Sequence, residues 1–520
     1  MIEVWSVILA LVAVGLAAYY YFKGAYNYFE VRGIPHYKGL PVLGSMWKAV
    51  FQRVTFAEAV LELYNVRKDA KYVGFYDFFT PVIIIRDIEL LKTITVKNFD
   101  HFQDHRSFQS DATDTLFSKN LFGLRGERWK EVRTLLSPAF TSSKMKAMYK
   151  LMRECAERYG NFLATIPEGQ RCLELKDAFT RYTNDVIATC AFGVNVDSMA
   201  DRNNKFYEYG RVATSFGRWQ SVKFFIVRSM PYLANLLGIK LVDPVIAEFF
   251  KDLVSSTIKA RDENGIVRPD MIQLMMETRG KLGPGKELTI DDMTAQAFVF
   301  FFGGFESTST LMCFAAYEVG VNPDIQTRLQ EEIDEVLENG NGKVSYEAIN
   351  DMKYLDAVVN EALRMYPVIV AVDRVCTKPF ELPPALPEGK PHHVKEDEFL
   401  WIPIYGIQYD PQHFEEPDKF NPDRFFDDPK RIMNSGTFLS FGMGPRMCIG
   451  NRFALMEAKV LLFHVFARCN LKPNSKTTIP MELSKKGFQM TAKDGFWFDV
   501  EPRKTVCPVL VGSVCNGTGT

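Results

Sequence analysis

The first concentration of apolar residues lies at the N-terminus, where Val4 to Phe22 carries no charge. That is close to the ~20 residues a bilayer-spanning helix needs and predicts a membrane anchor. Tyr19, Tyr20, Tyr21 and Phe22 form an aromatic belt at its far end. Lys23, Arg32, Lys38 and Lys48 follow, and no Lys or Arg precedes it. This asymmetry leaves the N-terminus outside and the body in the cytosol. A cleaved signal peptide would want a basic start, and this chain offers Glu3. Residues 1–22 are therefore read as a retained anchor, and the Pro/Gly-rich 23–48 as a stiff hinge.

Short apolar runs at Tyr72–Phe75 and Pro81–Ile85 predict strands. Arg128 to Leu136 predicts a helix ended by Ser137-Pro138, and most of Ser143 to Phe250 shows helical spacing. Polar Gly/Pro-bearing loops are expected at Asp262–Gly265 and Arg279–Gly285. Thr289 with Asp292 makes a variant capping box for a helix running unbroken to Val321. At about 32 residues it would be roughly 48 Å long. Asn322-Pro323 starts the next helix, and Glu347 to Tyr366 reads as one more, stopped by Pro367. Proline-rich loops and short strands fill 367–440. With no internal repeat or inner boundary, 49–504 reads as one large, mainly α domain with small β-sheets. The tail 505–520 has no assigned role. Its Asn516-Gly517-Thr518 sequon would not meet the glycosylation enzyme in the cytosol.

Composition narrows the chemistry. Apolar residues make up 47% and aromatics 13%, with 42 phenylalanines, enough for a large core and an aromatic-lined pocket. A net charge of −1 gives no electrostatic case for nucleic acid. The nine cysteines are scattered without a CxxC pair, which predicts reduced thiols rather than a disulfide framework. No G-x-G-x-x-G follows a strand and no P-loop appears, so electrons for any redox reaction must come from another protein.

Phe441-Gly442-Met443-Gly444-Pro445-Arg446-Met447-Cys448-Ile449-Gly450 carries the sharpest signal. The glycines let the backbone turn tightly and approach a flat ligand. The helix that follows offers free N–H groups and a positive dipole end, expected to lower the Cys448 thiol pKa. Arg446 can pair with an acidic group on the ligand. A plain core cysteine would not need this surrounding. Midway along the long helix, Gly303 and Gly304 each cost about 1 kcal/mol relative to alanine, which suits a close approach to the backbone. Glu306, Ser307 and Thr308 supply an acid and two alcohols on the next turn. Glu361 and Arg364 sit three apart on one helix face.

These stretches together resemble the cytochromes P450 over roughly residues 30–504, in the family's order. The resemblance implies the P450 fold and Cys448 as axial ligand of haem b iron. It implies that Glu361, Arg364 and Arg424, in Pro417–Phe425, lock the core behind the haem loop. Gly303–Thr308 matches the A/G-G-x-D/E-T-T/S oxygen-binding motif, with Glu306 and Ser307 steering protons and Thr308 a neighbouring hydroxyl. Serine stands where threonine is usual, which removes the methyl that helps fix the rotamer. Trp129 and Arg133 match W-x-x-x-R, and with Arg374 and Arg446 they would reach the haem propionates. Phe441 and Gly450 frame the haem loop. His105 stands where relatives offer an arginine, and its role is left open.

The implied activity is monooxygenation of lipophilic organic molecules with O2, xenobiotics such as plant toxins or insecticides, or endogenous lipids. NADPH-cytochrome P450 reductase would deliver the electrons, with cytochrome b5 as a second candidate donor. Lys130, Arg133, Lys144 and Lys146 are the candidate docking patch. The anchor and the Asp373-Arg374-Val375-Cys376 segment resemble animal microsomal members of insect detoxification type, placing the chain on the endoplasmic reticulum membrane. Candidate pocket residues are Phe108, Phe117, Leu121, Phe301, Phe305, Val368, Val372 and Phe488, alongside Phe298 and Phe302. Phe224–Val227 and Met230–Leu237 form an apolar stretch that could dip into the bilayer surface. Two other classes are weighed: a haem-thiolate isomerase or dehydratase needing no reductase, and a non-catalytic haem sensor or carrier.

Overall fold

Thr55 and Glu58 close a capping box that starts α1 (Phe56–Tyr64). After it, the two apolar runs form the antiparallel hairpin β1 (Tyr72–Asp77) and β2 (Thr80–Ile85), which extend past the predicted limits. The computed structural model describes residues 24, 26–40, 43–106, 114–214, 220, 223–224, 226–227, 231–279 and 287–504. The expected anchor, the tail and Phe108 lie outside these residues, as does nearly all of the loop expected at Arg279–Gly285.

Helix α2 (Gly126–Leu136) gives way at Ser137-Pro138 to a single 3-10 turn. Helices α3 (Ser142–Ala164), α4 (Leu175–Ile187), α5 (Lys205–Thr214) and α6 (Pro244–Asn264) carry the helical spacing of the next hundred residues, with short β3 (Cys172–Glu174) ahead of α4. The Thr289–Asp292 capping box opens α7 (Ile290–Phe302). The long helix is not unbroken: a π-turn over Gly303–Thr308 separates α7 from α8 (Ser309–Val321). Its length and apolar composition would suit a membrane span, yet most of it is buried. It is the core helix, packed between α4 and the helices over Lys353–Met365 and Asn451–Arg468, which explains apolar residues on every side.

Helix α9 (Pro323–Asn339) follows. Asn322 holds its N-cap position, but the side chain turns back and donates to the Glu318 carbonyl at 2.8 Å. The helix expected at 347–366 is two, a short Tyr346–Asp351 and α10 (Lys353–Met365), broken at Met352 with ψ 109°. The Glu332 carboxylate of α9 accepts the N–H groups of Tyr354 and Leu355 at 2.8 and 2.9 Å, capping α10 from a distance. Beyond it come β4 (Val372–Val375), β5 (Phe380–Leu382), β6 (His392–Val394), β7 (Phe399–Ile402), α11 (Asn451–Arg468), β8 (Cys469–Lys472) and β9 (Trp497–Pro502). The sheets are small, in orders β1-β2-β7-β4, β3-β9-β8 and β5-β6. β2 and β7 pair in parallel, Val82 opposite Phe399. All seven described cysteines are unpaired thiols.

Glu318 of α8 is buried and accepts the Tyr366 hydroxyl at 2.5 Å. Burial pushes its carboxyl up to about 7. A carboxyl raised in this way helps folding while protonated, and that help fades between its ordinary 4.5 and 7. The loss is about 1.4 kcal/mol per pH unit. Glu318→Gln should flatten the decline of stability over that window, read from urea denaturation at several pH values. An unchanged slope would contradict the assignment.

Candidate active site

The loop ahead of α11 is built on two glycines at φ +76°, Gly442 and Gly444. A Cβ on Gly444 would lie 2.1 Å from the Thr95 carbonyl oxygen, so both sterics and backbone require glycine there. The turn closes through Cys448 N–H to Phe441 O at 2.8 Å and Met447 N–H to Gly444 O at 2.9 Å. Arg133 reaches over from α2 and donates to Met447 O at 2.9 Å. Gly450 is the residue from which α11 starts. Cys448 lies deep among protein atoms, yet its surface is exposed, so the thiol lines an interior space. The expected lowering of its pKa does not occur. Burial pushes the thiol up, outweighing the Gly450 N–H and the Arg133 charge. A bound metal cation would reverse this by deprotonating the sulfur outright.

Two buried guanidinium groups lie near this loop. Arg446 stacks 4.0 Å over the Trp129 ring and donates to Gln103 O (2.6 Å), Leu124 O (2.9 Å), Leu121 O (3.4 Å) and Asp104 Oδ1 (3.1 Å). Burial, reinforced by Arg374, pushes it down to about 9. Arg374 donates to the carbonyl of its neighbour Asp373, its Nε has no partner, and burial lowers it to about 10. Asp373 and Asp104 offset part of the cost of burying these two cations, but Arg374 Nε stays unpaired, and a further anion would lower that cost. The donor set therefore fits a ligand bearing carboxylates. His105 is neutral: burial lowers its pKa, and Nδ1 faces two acceptors on Asp373 at 3.1 and 3.3 Å, so Nδ1 carries the proton. Its ring stacks on Phe122.

The two glycines of the core helix do different things. A Cβ on Gly303 would meet nothing within 4 Å, whereas one on Gly304 would lie 2.5 Å from Ile187 Cδ1 of α4. Gly303 thus leaves room, and Gly304 allows close packing. The π-turn frees carbonyls that side chains then satisfy. Ser307 Oγ bonds Gly303 O, and Thr183 Oγ1 and Ser309 Oγ both donate to Phe305 O at 2.8 Å. Lys176 of α4, unforeseen in the sequence, pairs with Glu306 Oε1 at 2.9 Å and donates to Ser309 and Thr310 hydroxyls at 2.7 Å. A cleft of about 410 Å³ reaches this pair, lined by Lys176, Asp177, Tyr207, Arg211, Glu306 and Lys486, among others. Ser307 keeps open surface, while Thr308 turns inward and is buried.

Glu361 and Arg364 are fully buried and joined by two bonds of 2.8 and 2.9 Å. Arg364 also donates to Gln408 O at 3.1 Å and Pro417 O at 2.7 Å, and Arg424 Nε to Glu361 Oε1 at 3.3 Å. Gln408, not singled out from sequence, ties this cluster to the cysteine loop. Its Nε2 donates to Arg364 O at 2.8 Å, and its Oε1 accepts Leu439 N–H at 2.7 Å and Ser440 Oγ at 3.1 Å.

The pocket expectations need correction. Phe301 is fully buried among Phe192, Phe206 and Phe250, and sits where Gly210 leaves space for its ring. It is core. Phe302 keeps part of its surface open and meets Phe117 at 5.9 Å. Phe305 is buried but borders the cleft. Leu121 is buried, its N–H held by Gln296 of α7 at 2.9 Å. After Pro367 the alternation buries Val368 and Val370 and exposes Ile369, with Val372 half-buried. Phe488 packs on Phe224 at 4.4 Å and Phe56 at 6.2 Å. Near Phe224, Leu233, Leu236 and Leu237 are exposed, so that stretch is partly surface. The basic patch is weaker than expected. Lys130 pairs with Glu127 and Lys146 with Glu347, and Arg133 turns inward.

The sequence profile of the cytochrome P450 family matches residues 35–497. The chain is 44% identical to cytochrome P450 9e2 of Blattella germanica, covering 96% of this chain and 98% of that protein. It is 40% identical to probable cytochrome P450 9f2 of Drosophila melanogaster, covering 95% and 99%. With cytochrome P450 6k1 of Blattella germanica it shares 34% over 94% and 95%.

Proposed function

The chain belongs to the cytochrome P450 family, and from that premise we propose that it is a membrane-anchored haem-thiolate monooxygenase of xenobiotic-metabolising type. The observation that carries this reading is a pair of open surfaces, at Cys448 and at Gly303, on segments whose helices pack together. Cys448 would ligate the iron, and Arg374 and Arg446, with Trp129 and Arg133, would hold the propionates. The haem, when bound, supplies the activation of O2, with electrons that begin on NADPH and arrive through a separate redox protein.

The chain's own groups do the rest. Glu306 meets solvent through the cleft and passes protons inward, and Lys176 holds its carboxylate in place. Ser307 holds its hydroxyl at the open face through Gly303 O. Phe117, Phe302 and Ile369 offer apolar surface to a lipophilic substrate, a plant toxin, an insecticide or an endogenous lipid. The redox partner is proposed to be NADPH-cytochrome P450 reductase, with cytochrome b5 as an additional donor, on the endoplasmic reticulum membrane.

The test supplies full-length protein with that reductase, NADPH and a panel of lipophiles. Oxygenated product that requires both NADPH and O2 is expected. Conversion without NADPH would point to an isomerase or dehydratase, and no conversion of any lipophile would point to a carrier. Lys176→Met should raise the peroxide released per NADPH consumed, because Glu306 loses its tether. Unchanged coupling would remove Lys176 from proton delivery.

A further inference from the structure

Glu457 is a buried acid that none of the above uses. It lies on α11, two turns beyond the helix start that follows Cys448, and is fully enclosed. Both carboxyl oxygens lack a well-formed hydrogen bond, and so does the buried Thr308 Oγ1. The two orphans are neighbours, for the Thr308 hydroxyl is close enough to favour the charged form of Glu457. Two adjacent unsatisfied polar groups in a packed interior satisfy each other after a small rotation, and leaving them apart is costly. The titratable groups that feel Glu457, Tyr182 and Cys190, are buried and uncharged, and burial pushes the carboxyl well above its ordinary range. A carboxylate without a cation would bear a heavy desolvation cost there. As a neutral acid it is a donor, and Thr308 Oγ1 is the acceptor within reach.

The π-turn needs such a contact on this side. Towards α4 it is tied by Lys176 and Thr183. Towards α11, Thr308 is the polar side chain that faces Glu457. Tyr182 of α4 donates to the Glu457 carbonyl at 3.2 Å, which fixes α11 at that level.

We propose that Glu457 is a positioning residue: as a neutral acid it donates to Thr308 Oγ1, pins the end of the π-turn, and so sets the Ser307 hydroxyl relative to the segment that carries Cys448. This rests on the monooxygenase reading for its effect on coupling, but not for the hydrogen bond itself. The experiment therefore has two arms. Infrared spectra of the purified haem-loaded protein at neutral pH, where the Glu318 carboxyl also keeps part of its proton, should show a second protonated-carboxyl carbonyl stretch that belongs to Glu457. That band should vanish in Glu457→Gln and shift in Thr308→Val. In the second arm, Glu457→Gln, a neutral donor, should keep peroxide per NADPH near the parent value. Glu457→Leu and Thr308→Val should raise it several-fold while the thiolate CO spectrum persists. Absence of the band, or Glu457→Gln as uncoupled as Glu457→Leu, overturns the proposal. Should Glu457→Leu fail to fold, the band and the Glu457→Gln and Thr308→Val pair still decide. A parent with the band but without NADPH-dependent product would refute the monooxygenase reading alone.

Discussion

Cys448→Ala is expected to reduce oxygenation to background and to abolish the long-wavelength Soret shift of the reduced, CO-bound protein. The change is informative because the loop does not depend on the sulfur. Its shape comes from Gly442 and Gly444 at positive φ and from the Cys448 N–H bond to Phe441 O, and an alanine keeps that N–H. Arg133 still reaches Met447 O. The variant should therefore fold with a thermal midpoint close to the parent, so the lost activity reports the missing ligand rather than a collapsed scaffold. A retained shift would assign the iron to another residue and sink the site as drawn.

Arg364→Leu should have the largest effect on stability. It leaves Glu361, fully buried, with Arg424 Nε at 3.3 Å and the Asn421 N–H at 3.0 Å as remaining partners. It also frees the Gln408 and Pro417 carbonyls. Breaking a buried pair from one side costs about 3–5 kcal/mol. A typical domain has about 5–15 kcal/mol in all. Low yield, a lower urea midpoint and poor haem retention are expected. Glu361→Met combined with Arg364→Leu should recover part of the loss, since the fully buried carboxylate is no longer stranded, while Arg424 keeps the Glu416 carbonyl at 2.8 Å. A single variant within about 1 kcal/mol of the parent would mean the pair is solvated in solution, as exposed pairs are.

Those two sites were legible in the sequence because local geometry dictates residue type. Positive φ demands glycine around Cys448, and a three-residue spacing puts Glu361 and Arg364 on one face. The capping box at Thr289 and the stop at Ser137-Pro138 were legible for the same reason. Lys176 was not, since it meets Glu306 from 130 positions away and nothing in its own neighbourhood marks it. Gln408 is an ordinary amide whose importance lies in reaching Leu439, 31 positions on. The break at Met352 has no local signal, because its cap comes from Glu332 on another helix. Phe301 is core rather than pocket, and because α7 is apolar on all sides, periodicity cannot tell the two apart. Val368 is buried because the backbone after Pro367 alternates and turns Ile369 outward.

The unequal surroundings of Gly303 and Gly304 bear on which variants natural selection can accept. A methyl group at the first position would enter open space and meet no neighbouring atom within 4 Å, so the scaffold would stay undisturbed. At the second it would strike Ile187 and force two helices apart. Gly303 and Gly304 thus serve two separate ends, one leaving room and one guarding interhelical distance.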